Sequence, residues 1–474
     1  MNIPRGLCLV SCWWLAASCA VGPDYHRPST PVPAAFREAF QPGAPADDLP
    51  RGNWWEAYGD ATLDDLEAKA GQANQTIAAA DAQYRAALAA QAGSRAGFYP
   101  TIGAGASSSR NAGSTTTTAG ASGPGTTTVG RDRYTVDRVT GSATWELDLW
   151  GRLRRQLESS RAAAEASRGD LEAARLSVQA TLAQNYFQLR ALDMQRETLT
   201  RTMDGYRRSL QITRNRYAAG VAPRTDVTEA ESTLASAEAQ DADLALQRAV
   251  LSHGIAVLTG RAPEDLEVPV VASLPTMPEV PAVLPATILE RRPDVAAAER
   301  RVASANAAIG LAESAYFPTL SLSAAGGYQG STWQHLISAP HRYWSFGPQL
   351  AATLFDGGAR IAGVRSADAS YDRTVAQYRQ TVLTAIADVD DALASLKGLA
   401  EEEQASSRAA AAAAETLRAT ENRYRAGTVS YLNVVIAEST SLAADRTLID
   451  VRSRRLLAHV ALLKAAGGTP APGH

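Results

Sequence analysis

Six histidines are spread along the chain, at His26, His253, His335, His341, His459 and His474, and no two stand at the spacing that holds a metal on one helix face. Each reads as a solvated or packed ring. Asp388, Asp390 and Asp391 have the makings of a carboxylate site, and Glu401, Glu402 and Glu403 those of a cation trap. On long helices such runs read as solvated faces. Met194, Met203 and Met277 occupy separate segments and form no thioether relay for copper. Gly103 and Gly105 belong to a low-complexity stretch rather than a phosphate cradle. No nucleophile is grouped with a base, so a secreted hydrolase has no support. A net charge of -3 gives no basic footprint for nucleic acid.

Cysteine chemistry is confined to the N-terminus, at Cys8, Cys12 and Cys19. Arg5 precedes an apolar run from Gly6 to Ala17, too short to span a bilayer and laid out as a secretory signal. It closes on Leu15-Ala16-Ala17-Ser18-Cys19, which resembles a bacterial lipoprotein cleavage site, although Ala16 stands where Leu is more usual. The rival Leu9-Val10-Ser11-Cys12 would leave almost no apolar region and is rejected. A mature chain beginning at Cys19 has no second cysteine to pair with, so lipid attachment is its expected use. Ala20, rather than Asp, favours sorting to the outer membrane.

What positions everything else is a phrase the chain states twice. Phe98-Tyr99-Pro100-Thr101-Ile102 returns as Tyr316-Phe317-Pro318-Thr319-Leu320. Before each copy runs an Ala-rich helical pattern, and after each an alternating one, because proline ends a helix. Asp148 to Arg152 is echoed by Asp356 to Arg360, and Arg216-Tyr217-Ala218-Ala219-Gly220 by Arg423-Tyr424-Arg425-Ala426-Gly427. The chain is an internal duplication with a long period.

Each copy carries a strand pair, over 99–150 and 318–356. Val139, Gly141, Ala143, Trp145, Leu147 and Leu149 share one face of the first return strand. In the second pair Leu320, Leu322, Ala324, Gly326 and Tyr328 do so, followed by Trp344, Phe346, Leu350, Ala352 and Leu354. Strands of about 9 to 11 residues cross a membrane with tilt. Trp145, Trp150, Trp333 and Trp344 lie in or beside them, as aromatic girdles would. Residues 111–130, almost all small or hydroxylated, suit a mobile external loop. A soluble half-buried sheet alternates in the same way. The secreted context and the lack of a covering layer favour the membrane. Four strands cannot close a barrel, so the chain must oligomerise. Two copies would give a filled eight-stranded barrel and three a twelve-stranded one with a lumen, and a conduit favours three.

The helices are long. Residues 152–217 contain no proline and keep a seven-residue repeat (Leu171, Val178, Asn185, Leu192, Leu199, Tyr206), the signature of coiled-coil packing, over roughly 100 Å if unbroken. Further helices are expected from Asp60 or Thr62 to about Gly97, from Thr225 to Thr259, with Pro223 in the first turn, from Asp294 to Tyr316, from Arg360 to Tyr424 and from Tyr431 to Ala466. The expected organisation is a signal peptide (1–18), a lipidated tether and equatorial segment (19–60), a first repeat (61–260), a linker (261–285), a second repeat (286–466) and a tail (467–474).

The landmarks together resemble the outer-membrane factors, the TolC and OprM type of trimeric export duct, in their lipoprotein branch. Cys19-Ala20-Val21-Gly22-Pro23-Asp24-Tyr25, Trp54-Trp55 with Leu63 and Leu66, Leu289-Glu290-Arg291-Arg292-Pro293-Asp294-Val295, Ile309-Gly310, Phe317-Pro318 and the two Tyr-x-x-Gly turns carry the resemblance. It implies a mainly α protein with a transmembrane β part: coiled-coil helices form an α-barrel across the periplasm, and four strands per chain complete a trimeric twelve-stranded β-barrel. It implies a passive duct with no catalysis and no cofactor beyond lipid on Cys19. The implied partners are two further copies of the chain, a periplasmic adaptor, and an inner-membrane pump of the resistance-nodulation-division type. The turns at Tyr217, Gly220 and Val221 and at Gly427 and Thr428 would meet the adaptor. Thr225, Asp226, Glu229, Tyr424, Asn433 and Ile436 fall at or near the family's periplasmic gate, with Val429 in place of a basic residue and Asn433 and Ile436 in place of acids. Tyr99, Trp145, Trp150, Phe317 and Trp344 would mark the membrane interface. Alternatives are the exit duct of a type I protein secretion system, or a structural coiled-coil lipoprotein with no conduit. The amphipathic hairpins argue against the latter.

Overall fold

The computed structural model describes residues 20–29, 53–117, 128–278 and 291–468, so the signal segment and Cys19 lie outside the described residues. After a short 3-10 turn at Trp54–Tyr58, the elements in order are α1 (Ala61–Ala73), α2 (Gln75–Ala96), β1 (Thr101–Thr117), β2 (Thr128–Leu147), α3 (Arg152–Ala218) and α4 (Arg224–Leu258). Then come α5 (Pro293–Ser314), β3 (Thr319–Gly330), β4 (Arg342–Ala351), α6 (Ala359–Arg425) and α7 (Tyr431–Ala465). The duplication is written in lengths: α2 and α5 have 22 residues each, α3 and α6 have 67, and α4 and α7 have 35.

Several expectations change. The single helix expected up to Gly97 is broken at Asn74, whose backbone is extended at φ -66°, ψ 126°. Its amide N–H closes α1 on Ala70, while its side-chain oxygen accepts from Thr76 and Ile77 at 2.9 and 3.1 Å and so caps α2. Asp60 caps α1 in the same way, at 3.0 and 3.3 Å from the Thr62 and Leu63 amides. Pro223 is the residue before α4 rather than inside its first turn. The strands claim part of the stretch expected to be loop, β1 reaching Thr117 and β2 beginning at Thr128, because a threonine-rich run pairs readily once antiparallel. Residues 118–127 lie outside the described residues. At the other end β4 stops at Ala351, leaving Ala352 and Leu354 beyond the sheet.

The chain forms two compact units. One comprises Met1–Pro28, Ala86–Glu165 and Arg300–Val375, and the other Ser29–Arg85, Ala166–Glu299 and Ala376–His474. Each takes segments from both repeats, so compactness cuts across the consecutive division that the sequence suggests. The first unit holds the sheet. The second is helical, with a core of Trp54, Tyr58, Leu63, Leu182, Tyr186, Phe187, Leu189, Ile255 and Val460. The Tyr58 and Phe187 rings pack at 4.8 Å with their planes tilted by 59°, and the Tyr58 hydroxyl lies 2.6 Å from Nδ1 of His459. Burial, with Arg455 nearby, pulls His459 down to about 4, so the ring is neutral and packed. Tyr186 donates to Asp60 at 2.9 Å and accepts from Arg190 at 2.6 Å. The cap of α1 is thereby tied to α3.

One acid in this core has no counterweight. Glu67 is 1 % exposed and neither carboxylate oxygen has a hydrogen-bond partner among the described residues. Burial, reinforced by Asp64, pushes it up to about 9, so the core holds the neutral acid. Because the folded value lies above the unfolded one, stability should be full below about pH 4.5 and fall as pH rises toward 9. Thermal unfolding followed by circular dichroism should show this decline in the natural protein. Glu67→Gln should flatten it, with a gain of about 1–3 kcal/mol at the alkaline end.

Candidate functional site

The four strands form one antiparallel sheet in the order β1-β2-β3-β4. Register decides what its faces are, since residues directly opposite share a side. Leu147, Leu320 and Leu350 align, then Trp145, Leu322 and Pro348, then Ala143, Ala324 and Phe346, then Gly141, Gly326 and Trp344. Ile102 and Ala104 of β1 continue the last two rows. This face is apolar across every strand, and it is uncovered: Ile102, Phe346, Leu350 and Trp344 are 80, 65, 66 and 77 % exposed. The other face sets Glu146 beside Ser321 and Gln349, Thr140 beside Gly327 and Tyr343, and Arg138 beside Gln329. Its groups bond to one another: Arg138 donates to Gln329 at 2.6 Å, and the hydroxyls of Thr140 and Tyr343 are hydrogen-bonded. Such a sheet can separate lipid from water.

At the sheet's base the strands meet the helices through repeated chemistry. Asp148 accepts from the Leu153 and Arg154 amides at 3.1 and 3.0 Å, and Asp356 from Gly358 and Arg360 at 3.0 and 3.2 Å, each carboxylate starting a 67-residue helix. Trp150 stacks on Phe317 at 5.0 Å and donates to the Pro318 carbonyl at 2.8 Å, joining the two copies of the proline junction. Trp145 donates to the Phe98 carbonyl at 2.9 Å, and Tyr99 is exposed. Trp344 sits apart from these four, level with Gly141 and so four residues up β2 from Trp145, about 13 Å along the strand.

The segment following Cys19 is docked on this base. Val21 N–H donates to the Trp150 carbonyl at 3.0 Å. Arg155, only 4 % exposed, grips it from α3: its guanidinium donates to the carbonyls of Val21 and Gly22 and to Asp24, each at 3.0 Å. Asn306 holds the Pro23 carbonyl at 2.9 Å. Gly22 has φ +97° and lies so close to Gly310 that a Cβ would meet its Cα at 2.2 Å. Gly22 and Gly310 were conspicuous in the sequence, whereas Arg155 and Asn306 carried no local signal.

In the helical unit the two Tyr-x-x-Gly turns share one geometry. Gly220 N–H bonds the Tyr217 carbonyl and Val221 N–H the Arg216 carbonyl, both at 2.9 Å. Gly427 and Thr428 repeat this toward Tyr424 and Arg423 at 2.9 and 3.0 Å. Both glycines are left-handed, at φ 71° and 73°, as the Schellman ending of a helix requires. The turns touch through side chains: the Arg216 guanidinium lies 5.1 Å from the Tyr424 ring, which is 5.8 Å from Tyr431. Beneath them Leu210, Ala230, Tyr431 and Val434 form a small core.

Thr225 and Asp226 occupy the first turn of α4, with Glu229 one turn on, and among the described residues their side chains make no bond to Tyr424 within the chain. Asn433 is exposed and donates to Ser430 at 2.9 Å, and Ile436 is exposed beside Leu432. Tyr217 and Val221 are exposed at the first turn, Thr428 at the second. Of the acidic runs, Asp388 pairs with Arg292 at 2.9 Å, Glu402 with Arg454, and Glu403 with Arg452 and Arg455 at 3.0 and 2.7 Å. Asp388 and Glu402 stay exposed within their pairs and Glu403 is half-buried, while Asp390, Asp391 and Glu401 are exposed, so the runs remain largely solvated. Among the described residues no group of His, Cys, Asp and Glu could hold a metal ion, and no helix is long and apolar enough to cross a membrane.

Comparison with known proteins gives a consistent answer. The chain matches the family described as "Outer membrane efflux protein" twice, over residues 67–261 and 284–468. It is 30 % identical over 461 residues to the probable efflux pump outer membrane protein TtgC of Pseudomonas putida, covering 96 % of this chain and 93 % of that one. Outer membrane protein OprJ of Pseudomonas aeruginosa is 30 % identical, covering 95 % of this chain and 93 % of OprJ. Among solved structures, the outer-membrane channel OprN superposes with a TM-score of 0.81 at 31 % identity, over 95 % of this chain and 99 % of that one.

The Arg155 grip is testable. Arg155→Ala leaves two part-buried carbonyls without their charged donor, at a cost of about 1.5–3 kcal/mol. Limited proteolysis of the folded protein should then cut within residues 21–28, which the natural protein should protect.

Proposed function

Since the chain belongs to the outer membrane efflux protein family, we infer that it is the outer-membrane channel component of a tripartite efflux system, and we propose how its parts divide the work. The observation that carries the reading is the sheet register, which gives one uncovered apolar face and one polar face while leaving β1 and β4 as open edges. Three chains joined edge to edge make a twelve-stranded barrel whose polar face, with Arg138, Glu146 and Gln349, lines a water-filled lumen. Trp145, Trp150, Tyr99 and Phe317 mark one membrane interface, and Trp344 lies toward the other. Cys19 carries lipid. The docked segment behind it, held by Arg155, brings that anchor to the base of the sheet.

The helices continue the duct into the periplasm. The Schellman turns at Gly220 and Gly427 form its tip, where Tyr217, Val221 and Thr428 meet a periplasmic adaptor linked to a resistance-nodulation-division pump. Tyr424 on Arg216, with Thr225, Asp226 and Glu229, holds the tip closed, while Asn433 and Ile436 line it without a charge ring. The cargo is small molecules, and energy comes from the pump, since the duct itself is passive.

The test is direct. Purified protein in detergent should be trimeric by native mass spectrometry, show strand as well as helix by circular dichroism, and conduct in planar bilayers. A monomer without strand signal would overturn the reading. Arg216→Ala removes a cation–π contact worth about 0.5–2 kcal/mol, so the closed-to-open ratio should fall roughly 2- to 30-fold. Asp226→Ala should raise conductance in the same sense. Both are read at matched salt.

A further inference from the structure

Glu438 is a carboxylate sealed into the helix cluster beneath the paired turns. It lies on α7 two turns beyond Tyr431, is 7 % exposed, and its Oε2 accepts no hydrogen bond among the described residues. Gly205 of α3 faces it: a Cβ there would stand 3.9 Å from Oε1, in ordinary contact.

The groups around it offer no cation. From α3 comes Tyr206, buried and sensitive to the charge of Glu438. From α6 comes Glu421, a like charge. From α7 itself comes Tyr431, buried with its hydroxyl unpartnered. α4 adds apolar Leu234 and Ala237 against Tyr206. Of the basic side chains on these helices, Arg425 pairs with Glu421 at 3.2 Å, Arg207 with Asp204 and Glu238 at 2.8 and 3.8 Å and Arg214 with Glu231 at 2.7 Å, while Arg208 is exposed. Burial first, and Glu421 second, push the carboxyl up to about 7.

A protonated acid is tolerable in such a place. Ionised, it requires water or a cation, and the packed cluster can supply water only by separating. We propose that Glu438 is a proton-operated latch: protonated, it lets α3, α6 and α7 close around it beneath the turns, and deprotonated, it drives them apart. Its consequence for conduction rests on the duct reading. Its structural part does not.

The sign follows from the raised folded value. The packed cluster is most stable below the ordinary carboxylate value of 4.5, loses stability as pH rises toward about 7, and changes no further above it. The cluster should therefore be tight in acid and loose in mild alkali.

The experiment is hydrogen exchange by mass spectrometry on the full-length assembled protein from pH 5.5 to 8.5, corrected for intrinsic chemistry, reading peptides over 200–217 and 424–440. The natural protein should lose protection on the order of 10- to 100-fold between pH 5.5 and about 7, where the profile levels off. Glu438→Gln should keep acid-level protection throughout. Glu421→Gln, which removes only the like charge, should move the levelling point to lower pH. An unchanged profile in Glu438→Gln, or no profile in the natural protein, would overturn the latch. Should Glu438→Gln fail to assemble, an unmoved levelling point in Glu421→Gln overturns it instead. Conductance of the same preparations should rise over the same interval in the natural protein and not in Glu438→Gln. If exchange responds as expected and neither protein conducts at any pH, the latch stands and the duct reading falls.

Discussion

A backbone in hydrocarbon must satisfy its own hydrogen bonds, and this chain presents a sheet that cannot do so by itself. β1 and β4 each pair on one side only, and in lipid every group left open costs several kcal/mol. The apolar face rules out water as the remedy, because Ile102, Phe346, Leu350 and Trp344 would stand in it. The remaining solution is a neighbour offering a complementary edge. A ring of such sheets would satisfy every strand, and three copies are the fewest that would also leave a lumen.

The helices in turn depend on how they are stopped. Both 35-residue helices end like the 67-residue ones, with a left-handed glycine: Gly260 bonds Val257 and Arg261 bonds Ala256 at 3.0 and 2.9 Å, and Gly467 and Gly468 repeat this on Lys464 and Leu463 at 3.0 and 2.9 Å. The 67-residue helices start on Asp148 and Asp356. Duplication therefore copied a set of stops and starts, and equal lengths follow even though the residues between have diverged. At the second turn Asn433 and Ile436 stand where the first has Asp226 and Glu229.

Much of this was legible in the sequence because it is periodic or local. Alternation from Val139 to Leu147 named the apolar face before register could show it continuous with Ile102 and Phe346, and Pro100 and Pro318 marked where helix yields to strand. Illegible were the long-range partners. Nothing near Arg155 announces that it holds Val21, Gly22 and Asp24, and nothing in Asp388 or Glu403 reveals Arg292 or Arg455. Asn74, between Gln72 and Gln75, carried no local signal as a double cap, a role seen only in the fold, where its amide lies 2.8 Å from the Leu258 carbonyl. Glu438 was visible as an acid near the second turn. That it points inward while Ile436 points out is a matter of helical phase, two residues being more than half a turn.

The hairpins are unequal. β1 and β2 run for 17 and 20 residues, β3 and β4 for 12 and 10, so residues 128–136 of β2 pair with β1 alone. In a closed ring three tall ribbons would alternate with three short ones, a crown whose points stand farthest into the surroundings of the cell. Above the reach of β3, residues 128–136 hold their backbone through β1 alone, so this part of the sheet should be the first to open and the first to exchange its amides.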